Sequence, residues 1–178
     1  MKTSTHLLKI VTSALLAALC CVATIAIQIP TPTGGFLNMG DAVVILSAWL
    51  MGPVYGTLAA GIGSALADIF AGYVQYAPAT FIIKALMAVV TWLVLYLFKN
   101  LCEKKYALSL VFTALAGVCA ECVMVLGYFC YEAVLLQYGL GAAASVLPNT
   151  IQGCAGIVAG TLLVALLSKT KIKEKFLK

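Results

Sequence analysis

The sequence predicts an all-α integral membrane protein, a bundle of six transmembrane helices with both termini on the cytoplasmic side. Three observations point there. The 178 residues are 63% hydrophobic and 10% charged, with a mean hydropathy of +1.09; a soluble domain carries roughly twice that charged fraction. The apolar runs are continuous rather than alternating, which favours helices over a barrel. Every cation is lysine, and the lysines fall in short flanks between apolar runs. That distribution suits a membrane surface and argues against nucleic acid.

The elements follow in order. The apolar run over 10–29 is long for the apolar region of a signal peptide, so it reads as the first retained helix. "PTPTGG", from Pro30 to Gly35, breaks it. A second helix spans 38–51 and stops at Gly52-Pro53; a third spans 55–73. The fourth covers 78–98, with Pro78 suited to a first helical turn. "KNLCEKKY" is a charged loop before the fifth helix, 107–135. The sixth covers 147–167, and residues 168–178 form a basic tail. No internal repeat is evident, so 1–178 is expected to be a single membrane domain.

Six crossings put Lys2, Lys9, Lys99, Lys104, Lys105, Lys169, Lys171, Lys173, Lys175 and Lys178 on one side. The positive-inside rule makes that side cytoplasmic. The remaining lysine, Lys84, falls inside the fourth span.

The other polar residues gather at the opposite, outer half. Asn38 and Asp41 open the second helix, Asp68 lies near the outer end of the third, Lys84 about 9 Å into the fourth. Glu121, Tyr128 and Glu132 mark one stripe of the fifth helix; Asn149 and Gln152 open the sixth. Ionised groups within a bilayer are costly and face the bundle interior, where they pair or line a polar cavity. Asn38, Asp41, Lys84, Glu121, Tyr128, Asn149 and Gln152 are therefore candidate substrate-binding residues around an outward-opening pocket. Lys84 either contacts a ligand or pairs with Asp68 or Glu121. Asn38 and Asp41 also suit a helix start. Short spans with polar ends mark transporter sites, so the segment with Pro30, Gly34, Gly35 and Phe36 is a candidate gate. Outer tyrosines fit an interfacial belt or a stacking wall for a flat ring.

No phosphate-cradling loop, catalytic triad or zinc-protease motif is present. Cys119 and Cys122 flank Glu121 in a helix without the second pair or histidines that a zinc site needs. The expectation is a transport subunit rather than an enzyme, with no metal and no resident cofactor. Six helices without a repeat are few for a self-sufficient carrier, which suggests a capture subunit powered by partners. The alternatives are an autonomous secondary carrier or channel, and a ligand-free membrane scaffold.

Three stretches carry a resemblance: "GGFLNMGDAVVILSAWLMGPVYGTLAAGIGSALADIFAGY", "YAPATFIIKALMA" and "LPNTIQGCAGIVAG". They resemble the substrate-binding S component of an energy-coupling factor (ECF) vitamin transporter, in the riboflavin-type and hydroxymethylpyrimidine- or pyridoxine-type branch. The resemblance implies six helices with cytoplasmic termini in a bacterial plasma membrane. It also implies a vitamin bound under the loop between helices one and two. Its implied partners are a transmembrane coupling protein and two ATPases, so that ATP acts only through them. It implies docking on the coupling protein through an A-x-x-x-A-like pattern, matched by Ala14 and Ala18, with Ala17 and Cys21 widening the strip. The expected cargo is hydroxymethylpyrimidine or pyridoxine, with riboflavin next.

Overall fold

Continuous apolar sequence, with few breakers inside it, gives an almost wholly helical chain. The computed structural model describes residues 2–102, 105–170 and 172, with side chains from His6 onward. Lys104, Lys171, Lys173, Lys175 and Lys178 of the basic flanks lie outside those residues. The helices are α1 (Lys2–Ala26), α2 (Gly40–Phe70), α3 (Ala77–Leu97), the short α4 (Lys99–Cys102), α5 (Tyr106–Cys130) and α6 (Val146–Ser168). A π-helical turn, Tyr131–Leu135, continues α5, and a 3-10 segment, Gly139–Ser145, leads into α6. Strands β1 (Ile29–Pro30) and β2 (Phe36–Leu37) pair antiparallel between α1 and α2. Among the described residues, five helical segments are long and apolar enough to cross a membrane.

The expected second and third helices form the single segment α2, with one non-helical residue. Gly52 has φ +74° and ψ −164° and is followed by Pro53. That region is open essentially only to glycine, and proline cannot donate back to the preceding turn. The chain doubles back there. A Cβ on Gly56 would collide with the Ser47 carbonyl, so the two limbs touch backbone to backbone. Cys20 Sγ lies 3.9 Å from the Gly40 carbonyl and 4.0 Å from that of Ala60. In a straight helix those carbonyls would stand about 30 Å apart.

The first limb, residues 40–51, is buried on every face. Its mostly apolar sequence permits this, because a helix apolar all round belongs in a core. Cys20 of α1, Lys84 of α3, Gly117 of α5, and Gly156 and Gly160 of α6 all pack on it. At about 1.5 Å per residue it is only about 18 Å long. Neighbouring helices shield it from lipid, so it need not match the bilayer. The outward faces of α1, α3, α5 and α6 carry exposed Leu, Ile and Val, as a lipid-facing surface requires.

The two ends of the bundle differ. At one end His6 meets Tyr55 and Tyr106 meets the Ala165 carbonyl. Lys9, Lys99, Lys105 and Lys169 lie on the helix ends and connections of that end. The opposite end holds the β1–β2 hairpin, the connection over 71–76 and the segment 131–145.

Candidate functional site

The hairpin that follows α1 is held by its own turn. Thr31 N–H donates to the Gly35 carbonyl (2.9 Å), and Gly34 N–H to the Thr31 carbonyl (3.1 Å). Gly34 sits at φ +81°, a left-handed position that suits glycine. Phe36 leaves the hairpin and packs on Tyr73, with ring centroids 4.7 Å apart. Thr33, buried, donates from Oγ1 to Glu132 Oε1 (2.9 Å). Tyr76 donates its hydroxyl to the Thr33 carbonyl (2.9 Å) and to Glu132 Oε1 (3.2 Å). The hairpin is thus tied to the α2–α3 connection and to the π turn. Burial raises the Tyr76 phenol above its ordinary pKa, and the neighbouring Glu132 adds to that. It therefore acts as a neutral donor.

Beneath the hairpin lies a pocket of about 400 Å³, its open mouth included. Thr31, Gly35, Phe36 and Asn38 form its hairpin side. Asp68, Tyr73, Tyr76 and Thr80 come from the end of α2 to the first turns of α3. Tyr128, Glu132, Asn149 and Gln152 complete it from α5, the π turn and α6. Thr80 Oγ1 and Tyr128 Oη are 2.9 Å apart, which fixes the Tyr128 ring against α3. Most of these side chains are polar or charged, with the rings of Phe36, Tyr73, Tyr76 and Tyr128 among them, an arrangement that can orient a small polar molecule.

A charged layer sits behind the pocket. Lys84 and Asp41 form an ion pair, with side chains 2% and 0% exposed. Such a pair survives in an apolar interior only when its remaining valences are also met. Gln152 supplies one, donating from Nε2 to Asp41 Oδ2 at 2.5 Å. Its other end, Oε1, accepts from the Asn38 backbone N–H at 2.9 Å. Asn38 Oδ1 accepts from Gly40 N–H (2.9 Å), which satisfies the first turn of α2. One amide side chain therefore joins the pocket floor, the hairpin's exit and the buried ion pair. Lys84 Nζ also stands 5.6 Å from the Tyr128 ring centroid, within cation–π range. Glu121 lies against Gly153 and Gly156, and neither of its carboxylate oxygens has a hydrogen-bond partner among the described residues.

Of the residues singled out in the sequence, Asn38, Tyr128, Asn149 and Gln152 line this pocket, with Gly35 and Phe36 of the hairpin. Asp41, Lys84 and Glu121 lie deeper and are not among its lining residues; Pro30 and Gly34 belong to the hairpin but do not line it either. Lys84 pairs with Asp41, not with Asp68 or Glu121, because its position on α3 aims it at the buried first limb of α2. Thr31, Asp68, Tyr73, Tyr76, Thr80 and Glu132 also line the pocket and are not among the candidates that the sequence singles out. Their signal was present in part, since acids and tyrosines crowd this end, but the sequence does not say which of them turn inward. On α1, Ala14 and Ala18 face outward. Cys21 is buried and the Ala17 carbonyl abuts Gly63, so these two do not widen that strip.

The sequence matches the family described as ECF-type riboflavin transporter, S component, over residues 4–169. A Pyrococcus woesei protein of uncharacterized function is 38% identical over 150 residues, covering 83% of this chain and 93% of that protein.

Proposed function

The chain belongs to the family of ECF-type riboflavin transporter S components, and from that premise we propose that it captures a flat, polar heteroaromatic vitamin in the pocket beneath the hairpin and passes it inward through an ATP-driven module. Members of such a family are membrane subunits for vitamin uptake, not enzymes. The observation that carries the reading is the pocket itself: aromatic walls, amides and carboxylates at the end of the bundle remote from the lysine-bearing connections.

The proposed topology has six crossings, with α2 contributing two through its fold at Gly52. The lysine-bearing end then faces the cytoplasm, both termini lie there, and the pocket opens outside the cell membrane. Asn38, Tyr128, Asn149 and Gln152 would contact the ligand, while Asp41, Lys84 and Glu121 would set the charge and shape of its floor. Residues 30–37 would act as the lid. The proposed cargo is a single-ring vitamin such as hydroxymethylpyrimidine or pyridoxine, whose flat ring the tyrosine walls would stack. Riboflavin comes next and is favoured by the family's description. The chain would bind no cofactor of its own. Its partners would be a transmembrane coupling protein and two ATPases, docked along the outward strip of Ala14 and Ala18.

Native mass spectrometry of the protein purified from cells grown in rich medium tests the capture step, because a retained vitamin declares itself by mass. Uptake measured with and without the co-expressed module tests the rest. An empty protein that binds no vitamin on titration would leave a scaffold, and uptake by this chain alone would make it an autonomous carrier.

A further inference from the structure

Among the described residues, the buried interior holds four carboxyl side chains, Asp41, Asp68, Glu121 and Glu132, and one ammonium, Lys84. Lys84 is committed to Asp41. Asp68 and Glu132 line the pocket at 5% and 2% exposure, and Asp68 Oδ2 and Glu132 Oε2 each lack a hydrogen-bond partner. Among the described residues, no lysine lines the pocket. Its remaining walls include the rings of Phe36, Tyr73, Tyr76 and Tyr128, whose faces attract a cation.

We infer that the pocket selects a positively charged, or readily protonated, flat heteroaromatic ligand, with Asp68 and Glu132 as the residues that determine this charge preference. The inference rests on the capture reading and narrows its substrate class. Two buried carboxylates with unused oxygens are costly when empty. A neutral ligand with N–H or O–H groups would satisfy their lone pairs but leave the surplus charge in place. A cationic ring offsets the charge, donates to the free oxygens in charge-assisted hydrogen bonds, and is stacked by the tyrosines. The same geometry rejects phosphorylated and carboxylated analogues, because their negative charge would meet the buried carboxylates of Asp68 and Glu132.

The full chain, purified in detergent, is titrated with four probes. They are hydroxymethylpyrimidine methylated on a ring nitrogen, which fixes its positive charge; its neutral benzene isostere with the same substituents; its phosphate ester; and riboflavin. The fixed cation is expected to bind at least about tenfold more tightly than the neutral isostere, the scale of one charge-assisted contact. The phosphate ester should not bind. Asp68→Asn and Glu132→Gln should each lower the cation-to-neutral affinity ratio, and the double variant should bring it down toward one. Glu132→Gln retains an acceptor for Thr33 and Tyr76, so the hairpin stays tied. A neutral isostere that binds as well as the cation overturns the inference, as does a ratio unchanged in both variants. Riboflavin as the tightest probe overturns the charge preference but upholds vitamin capture. Failure of every probe to bind overturns capture itself, and this inference with it.

Discussion

Replacing Lys84 with methionine removes the ammonium but keeps most of the side-chain volume. Asp41 is then left as a fully buried carboxylate with only the Gln152 amide for a partner. Breaking a buried pair from one side costs about 3–5 kcal/mol, because the orphaned charge has no water to turn to. Here Asp41 is 0% exposed and sits on a limb that is buried on every face, so the cost belongs in that range. For a chain of this length that corresponds to a melting point lowered by about 6–20 °C. Adding Asp41→Asn removes the second charge and keeps an oxygen for Gln152. The double variant should therefore recover on the order of 1–3 kcal/mol of the loss. Recovery is incomplete because Glu121 still lies nearby with no hydrogen-bond partner among the described residues. Thermal unfolding of the detergent-solubilised protein, followed by intrinsic Trp49 and Trp92 fluorescence, reads all four corners of the cycle. A wild-type melting point for Lys84→Met, or a double variant no better than the single, refutes the claim that this pair organises the core.

Gln152→Ala removes the amide between Asn38 and Asp41 and should weaken vitamin binding by about 1–3 kcal/mol, with a melting curve to separate binding from folding; unchanged affinity refutes the role. Gly52→Ala forces a side chain into a conformation open to glycine and should cost about 1–3 kcal/mol in thermal unfolding; an unshifted melt would mean that the turn is not strained. Saturating vitamin should slow labelling of Leu37→Cys on β2, in a background with the exposed Cys122, Cys130 and Cys154 replaced by serine; equal rates with and without vitamin refute the lid. Ala14→Trp or Ala18→Trp should keep vitamin binding in the isolated subunit and abolish ATP-dependent uptake, since small residues permit close helix approach; normal uptake by both variants removes the docking assignment.

The sequence by itself determined the class of the protein and most of its helices. Lipid demands long apolar segments, and breakers such as Pro30, Gly52-Pro53 and Pro78 show where they stop. It also placed the polar residues at one end and the lysine flanks at the other, because both are properties of position along a helix. What it could not supply was the rotation of each helix about its own axis and the partner that each face meets. Apart from those few polar residues these helices are largely apolar on every face, so the broad polar stripe that orients a surface helix is missing. Only the tertiary structure decided that Lys84 meets Asp41, 43 residues earlier in the chain, rather than Asp68 or Glu121. Only it decided that the 40–51 limb is the enclosed centre, and that Asp68, Tyr76 and Glu132 turn into the pocket while Asp41 and Glu121 lie behind it. The physical reason is the same in each case. An ion pair or a pocket wall is a contact between helices, set by register and close packing at positions such as Gly56, Gly117 and Gly156, and the chain reveals that register only once it is folded.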